Sequence, residues 1–230
     1  VNVVVLLGAP GAGKGTQAPL LATRLGIPVV ATGDLFRAAV RDGTPLGQEA
    51  RRYMDAGQLV PDQITVRLLL DRLARPDAAA GVILDGFPRT AVQAAALDRA
   101  LTDREARVGA AVLVDVPFDE LVRRMSGRWV CRAAGHPFHE ISSPPQVAGT
   151  CDLDGSELYQ RVDDHPDTIR VRMDQQLGAL AEVIGHYRAA GVLRTVDGLQ
   201  GIHEVASAID VALRESGIGP ASAMPGRAAG

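Results

Sequence analysis

Aromatic residues make up only 3% of this 230-residue chain: one tryptophan, three tyrosines and four phenylalanines. A core must therefore be built from Val, Leu, Ile and Ala, which the 47% hydrophobic content supplies and which suits a parallel α/β sheet. Cysteine is equally scarce, and Cys131 and Cys151 are too few for a disulfide scaffold. Neither charge sign dominates: 24 basic against 27 acidic residues give a net charge of −3. That balance supplies no electrostatic reason to expect nucleic acid or a membrane surface as partner. No apolar run approaches the length of a membrane span. No leader-like segment precedes the first strand-like run, so a cytoplasmic protein is expected.

What is present is a regular alternation. Apolar, mostly Val-rich runs recur at Val3–Leu7, Pro28–Ala31, Val82–Leu84, Ala110–Val116 and Val192–Val196 and read as strands buried on both faces. Helical patterns separate them at Lys14–Leu25, Gly33–Arg41, Leu46–Ala56, Asp62–Leu73, Ala91–Leu101, Phe118–Ser126, Pro166–Ala190 and Ile202–Ser216. The expected fold is a doubly wound five-stranded parallel sheet, with ligands at the carboxyl ends of its strands. Pro19 falls inside the first helix, where it should cost about 3 kcal/mol or introduce a kink. Two excursions break the alternation. Residues 32–60 read as a helical subdomain, and 127–164, rich in Gly and Pro with short β-like stretches such as Trp129–Cys131, as a small inserted lid. Segments 1–31, 61–126 and 165–216 then form the core, and the Gly-, Ala- and Pro-rich stretch 217–230 is expected to be a disordered tail.

The strongest local signal is Gly8-Ala-Pro-Gly-Ala-Gly13-Lys14-Gly15-Thr16, between the first strand and the first helix. Glycines let successive N–H groups curl around an anion, the helix dipole adds partial positive charge, and Lys14 adds a full one. The slot after such a lysine normally carries a Ser or Thr that ligates Mg²⁺. Here it is Gly15, with the hydroxyl one place later at Thr16, which counts against a GTPase or motor-ATPase pattern and points to small-molecule kinases. Leu84-Asp85-Gly86-Phe-Pro-Arg89 ends the third strand and offers Asp85 to hold Mg²⁺ through water and Arg89 as a planar fork for phosphate. Ala31-Thr32-Gly33-Asp34-Leu-Phe-Arg37 supplies Asp34 as a second carboxylate to hold Mg²⁺ through water, and Arg37 as another phosphate-reaching arginine. Arg124 and Arg128 flank the entrance to the insertion, and Arg161 and Arg172 its exit, which suits a lid that brings positive charge onto a phosphate chain.

These segments, together with Asp55–Val60, Gln93 and Glu157–Asp164, resemble adenylate kinases of the bacterial type with a long lid, over residues 1 to about 215. The resemblance implies reversible transfer from Mg-ATP to AMP, giving two ADP, by a monomer. It implies catalytic roles for Lys14, Asp85, Arg89, Arg124, Arg128, Arg161 and Arg172. ATP would lie on Gly11, Ala12, Gly13, Lys14, Gly15 and Thr16, and against Arg124, Arg128, Phe138 and Gln200. AMP would meet Thr32, Gly33, Arg37, Val60, Gly86, Arg89 and Gln93, with Gln93 reading the adenine edge, while Arg161 and Arg172 bridge both phosphate groups. Some members of the family hold structural zinc in the lid through Cys-x₂-Cys and Cys-x₂-(Cys or Asp). Here the first pair is broken as Cys131-Arg-Ala-Ala134 and the second is intact as Cys151-Asp-Leu-Asp154, leaving His136, ahead of His139, to complete a zinc site with Cys131, Cys151 and Asp154.

Two other readings remain open on the residues alone. A related enzyme would phosphorylate another nucleoside monophosphate, and a non-catalytic protein would bind ATP without turnover. The number of phosphate-directed arginines argues against the second, because simple binding does not need so many.

Overall fold

The computed structural model describes residues 2–219. Strands β1 (Asn2–Leu7), β2 (Val29–Ala31), β3 (Gly81–Asp85), β4 (Arg107–Asp115) and β8 (Leu193–Asp197) form one parallel sheet in the order β2-β3-β1-β4-β8. The alternation of side chains along β1 explains why both faces must be covered. Val4 and Leu6 enter one apolar cluster, while Val3, Val5 and Leu7 enter the other. The first cluster is completed by α1 (Lys14–Leu25), α6 (Phe118–Ser126) and α8 (Ile202–Glu215), through residues such as Leu21, Met125 and Ile209. The second is completed by α4 (Asp62–Leu73), α5 (Ala91–Thr102) and the C-terminal half of α7 (Pro166–Ala189), through Leu69, Leu97 and Tyr187.

The helical excursion is α2 (Thr32–Arg41) and α3 (Pro45–Asp55), with its own small core of Phe36, Ala50 and Val60. The inserted lid is a three-stranded antiparallel sheet, β6 (Pro137–His139), β5 (Arg128–Cys131) and β7 (Leu158–Tyr159), packed around Cys131, Phe138, Cys151 and Leu158. Among the described residues no helix is long and apolar enough to cross a membrane.

Some boundaries differ from the sequence reading for local reasons. The strand expected from Ala110 begins at Arg107, because pairing with Asn2 and Val3 extends it across a register shift. It stops at Asp115, two residues before Pro117, which cannot donate to a ladder. Pro19 does not break α1. The residue four places before it, whose carbonyl the ring crowds, is Gly15, and Pro19 itself faces solvent. Ile218, within the stretch read as a tail from Gly217, is buried in the core. The rest of that stretch, from residue 220, lies outside the described residues.

Candidate functional site

The loop after β1 and the turns after β2, β3 and β8 all leave the carboxyl ends of parallel strands. Register makes this concrete: Asp85 lies level with Leu6 of β1 on one side and Ala31 of β2 on the other. The Gly8–Gly13 loop, the Thr32 turn and the Gly86–Arg89 turn therefore converge, and the turn after β8 joins them. Together with the lid they line one cleft of about 960 Å³. All the residues that the resemblance implied for the two nucleotides line it, including Phe138 from the lid and Gln200 from the last turn.

The loop after β1 is shaped by what passes beneath it. A Cβ on Gly11 would meet the Leu121 carbonyl at 2.9 Å and Met125 Cγ at 2.9 Å, and its φ of 86° is left-handed. Glycine is required there because α6 packs directly under the loop. Gly13, at φ 94°, caps α1, whose first turn, Lys14 to Gln17, lines the cleft. The Lys14 ammonium folds back over the loop, donating to the carbonyls of Gly8 at 2.7 Å and Ala9 at 3.1 Å. Burial, aided by the positive fields of Arg89, Arg172 and Arg128 and opposed by Asp85, pushes its pKa down to about 8. The carboxylate of Asp85 lies 3.7 Å from where a Cβ of Gly15 would stand, so it shares the loop's anion site with Lys14.

Four arginines crowd the same volume. Arg89 is fixed by donating Nε to the Gly86 carbonyl at 2.8 Å and Nη1 to Gln176 Oε1 at 3.3 Å. Burial, then the neighbouring Arg172 and Arg37 charges, hold its pKa down at about 10, with Asp85 opposing. Arg161 is likewise held at about 10 by burial and by Arg37 and Arg128, and its buried Nε has no hydrogen-bond acceptor among the described residues. Arg172, on α7, is 8% exposed; it donates Nη1 to the Asp163 carbonyl at 2.7 Å and to Asp164 Oδ1 at 2.9 Å. Burial also depresses its pKa. Arg128 donates Nε to Asp164 Oδ2 at 2.7 Å and pairs with Oδ1 of the same carboxylate through Nη2. A cluster in which several cations disfavour one another's charge is a site made for an anion of high charge density.

Around this centre, Thr32 donates its hydroxyl to the Gly86 carbonyl at 2.8 Å, tying the β2 turn to the β3 turn. Arg37 lies over Gly33 and pairs with Asp34. Both carboxylates line the cleft, but Asp34 is 68% exposed whereas Asp85 is half-buried. Arg124 donates to Glu120 at 2.7 Å and to the Gly198 carbonyl at 2.9 Å, linking α6 to the turn that holds Gln200. Its neighbour Arg123 also binds Glu120, and the two guanidinium groups hold that carboxyl down at about 2.

Several participants carried no local signal. Asp62 and Gln176 sit on ordinary helical positions, and their role shows only when α4 and α7 reach the cleft. Asp163 and Asp164 were visible as part of a motif, but not as the partners of Arg128 and Arg172.

The lid carries a separate constellation. Cys131, His136, Cys151 and Asp154 present ligand atoms all within 4.8 Å of one another. Two similar turns build it: Gly135 N–H returns to the Cys131 carbonyl and Gly155 N–H to the Cys151 carbonyl, both at 2.9 Å. The Cys131 sulfur accepts from the Ala134 N–H at 3.3 Å and contacts Asp154 Oδ2 at 3.1 Å and Ser156 Oγ at 2.9 Å. Burial works against the thiolate, yet hydrogen bonds from Ser156 and Ala134 bring Cys131 down to about 7, while burial pushes Cys151 up. His136 Nδ1 is 3.3 Å from Cys151 Sγ. His139 points elsewhere: its Nδ1 accepts from the N–H groups of Ile141 at 3.1 Å and Ser142 at 3.2 Å. The donor set of two sulfurs, one imidazole and one carboxylate fits tetrahedral zinc, with His136 in place of the ligand missing at Ala134.

Comparison with known proteins agrees with this architecture. A family model described as adenylate kinase matches residues 6–192. An adenylate kinase of Streptomyces griseus is 49% identical over 214 residues, covering 93% of this chain and 98% of its own. Those of Lysinibacillus sphaericus and Moorella thermoacetica are 45% identical over 213 residues and 47% over 210, covering 93% and 91% of this chain and 98% and 97% of theirs.

Proposed function

The chain belongs to the adenylate kinase family and is an ATP:AMP phosphotransferase, and we propose that Lys14 and the arginines of the cleft carry the transfer by neutralising charge. The observation that carries this assignment is the convergence of Lys14, Arg89, Arg128, Arg161 and Arg172 on one volume. The acceptor is a phosphate oxygen already ionised at neutral pH, so no general base is needed. What remains for the protein is to align donor and acceptor and to stabilise the charge on the transferring group.

In this assignment ATP phosphates occupy the loop from Gly11 to Thr16. Arg124 and Arg128 hold the triphosphate, while Phe138 and Gln200 flank the adenosine. AMP takes the other half of the cleft, against Thr32, Gly33, Arg37, Val60, Gly86, Arg89 and Gln93. Arg161 and Arg172 stand between the two phosphate chains, and the unsatisfied Arg161 Nε is a donor free for an incoming oxygen. Closure of residues 127–164 over the cleft excludes water, the competing acceptor. The same residues serve both directions, because each clamps phosphate and none must change protonation.

Magnesium, when bound with the nucleotide, adds charge neutralisation on the phosphate oxygens. Asp85 is the carboxylate suited to hold its waters, since the position after Lys14 offers no hydroxyl. Asp34 we assign to orienting Arg37 rather than to the metal, because the two are paired at the exposed rim. Zinc in the lid would be held by Cys131, His136, Cys151 and Asp154 and would cross-link its two turns. The family resemblance leads us to expect a monomer, and we place the enzyme in the cytoplasm.

The test is a coupled assay with Mg-ATP and AMP, GMP, CMP or UMP, beside Lys14→Ala and Arg89→Ala. ADP formation with AMP, lost in both variants, supports the assignment. Preference for another monophosphate would move the substrate and keep the phosphate machinery. Full activity in either variant would overturn the residue roles.

A further inference from the structure

Gln93 is 1% exposed, and both ends of its amide are occupied by partners of opposite and fixed character. Its Oε1 accepts the backbone N–H of Arg89 at 2.8 Å, and its Nε2 donates to Asp62 Oδ1 at 2.8 Å. The same Asp62 oxygen also accepts the Thr90 hydroxyl at 3.0 Å, whose own oxygen accepts the Gln93 N–H at 3.1 Å as the cap of α5. An amide can ordinarily turn over and exchange its donor and acceptor ends. Here it cannot. A backbone N–H only donates and a carboxylate only accepts, so the reversed amide would face a donor with its NH₂ and an acceptor with its oxygen.

We propose that Asp62 is a positioning residue that fixes the orientation of the Gln93 amide and thereby selects 6-aminopurine over 6-oxopurine monophosphates. The proposal rests on Gln93 lying in the acceptor-nucleotide half of the cleft, as assigned above. Each end of the amide has capacity left: a second N–H on Nε2 and a second lone pair on Oε1. Together they present a donor beside an acceptor in one fixed order. Adenine offers an amino donor at C6 flanked by ring-nitrogen acceptors, which matches that order. A 6-oxopurine offers an acceptor at C6 with N–H at N1, which requires the opposite order. A site that cannot turn its amide leaves the wrong base with facing donors and facing acceptors, the arrangement that gives strong discrimination.

Asp62 is the element of this device that a mutation can remove, because the Arg89 N–H is backbone. It is the first residue of α4, whereas Gln93 and Thr90 belong to α5 and its cap, so the lock depends on those two helices meeting.

The experiment measures kcat and KM with Mg-ATP for AMP and for IMP, which differ at C6, in wild type, Asp62→Ala, Asp62→Asn and Gln93→Ala. Asp62→Ala is expected to lower the AMP-to-IMP ratio of kcat/KM about tenfold or more, mainly through the KM for AMP. Asp62→Asn keeps an accepting oxygen and is expected to restore the ratio toward wild type. The ratio does not depend on how much protein is folded, because both acceptors meet the same molecules. If Asp62→Ala lowers activity on both acceptors equally while Gln93→Ala collapses the ratio, Asp62 is merely structural and the proposal is overturned. If Gln93→Ala itself leaves the ratio unchanged, Gln93 does not read the base and the underlying assignment fails.

Discussion

Arg128, the first residue of the lid strand β5, is held bidentately by Asp164, whose side chain is fully buried and also accepts from Arg172. One carboxylate thus ties the base of the lid to the start of α7. Removing it with Asp164→Ala takes a carboxylate from both cations and strands the partly desolvated Arg128. Leaving a buried partner uncompensated costs about 3–5 kcal/mol. Arg172 retains Asp163, at 3.0 Å, whereas Arg128 loses both of its hydrogen bonds to Asp164. The expected result is a lowered unfolding midpoint in urea and a larger rise in KM for ATP than for AMP.

The depressed pKa of Lys14 gives a pH dependence with a definite sign. In the free protein the ammonium is complete below about 8 and lost as pH rises through that value. Because kcat/KM reports groups in the free enzyme, kcat/KM for ATP should fall on a limb near 8. Lys14→Arg, which stays charged, should lower the rate but remove that limb. Stability runs the other way. An unperturbed lysine titrates at 10.5, so between about 8 and 10.5 the unfolded chain binds the extra proton. The nucleotide-free protein should therefore gain stability with rising pH across that window, and Lys14→Met should lose the gain.

How much of this was legible in the chain depends on the range of the interaction. The loop around Lys14 and the Asp85–Arg89 turn are read from adjacent residues, because a strand feeding a glycine turn has few other uses. The bonds of Asp62 to Gln93 and of Gln176 to Arg89 span 31 and 87 positions and leave no local pattern. The lid shows both cases at once. Cys151-Asp-Leu-Asp154 is a recognisable half-site and His136 an available fourth ligand, but only the fold brings the four ligand atoms within 4.8 Å of one another and turns His139 Nδ1 toward the backbone at Ile141 and Ser142.

Zinc in that lid should be one ion per chain in protein purified without added metal, measured by elemental analysis. Cys151→Ser and His136→Ala should each lower the occupancy, and His139→Ala should not. Because binding energy at a structural site is folding energy, a strong chelator should lower the thermal midpoint of the wild type and leave Cys151→Ser unchanged. Chelator-insensitive melting with no bound zinc would mean that the cluster is held by the hydrogen bonds of Cys131 with Asp154 and Ser156 alone.

Gly57 is where the segment after α3 rests on α7, and it tolerates no side chain. Its φ is 70°, and a Cβ there would stand 2.8 Å from both Arg172 Cγ and Thr168 Cγ2 and 3.0 Å from the Thr168 carbonyl. Gly57→Ala combines a left-handed backbone, costing about 1–2 kcal/mol, with overpacking, costing about 1–3 kcal/mol. The flexible Arg172 stem can give way, but the Thr168 carbonyl is helix backbone and cannot. The strain is therefore relieved by lifting the subdomain off α7. That separates Gly57 from Gln176, which bonds its carbonyl at 3.4 Å while also accepting from Arg89. The KM for AMP should rise more than the KM for ATP, because the bonds of Gln176 to Gly57 and Arg89 lie in the half of the cleft assigned above to AMP. Equal effects on both nucleotides would place the defect in global stability instead.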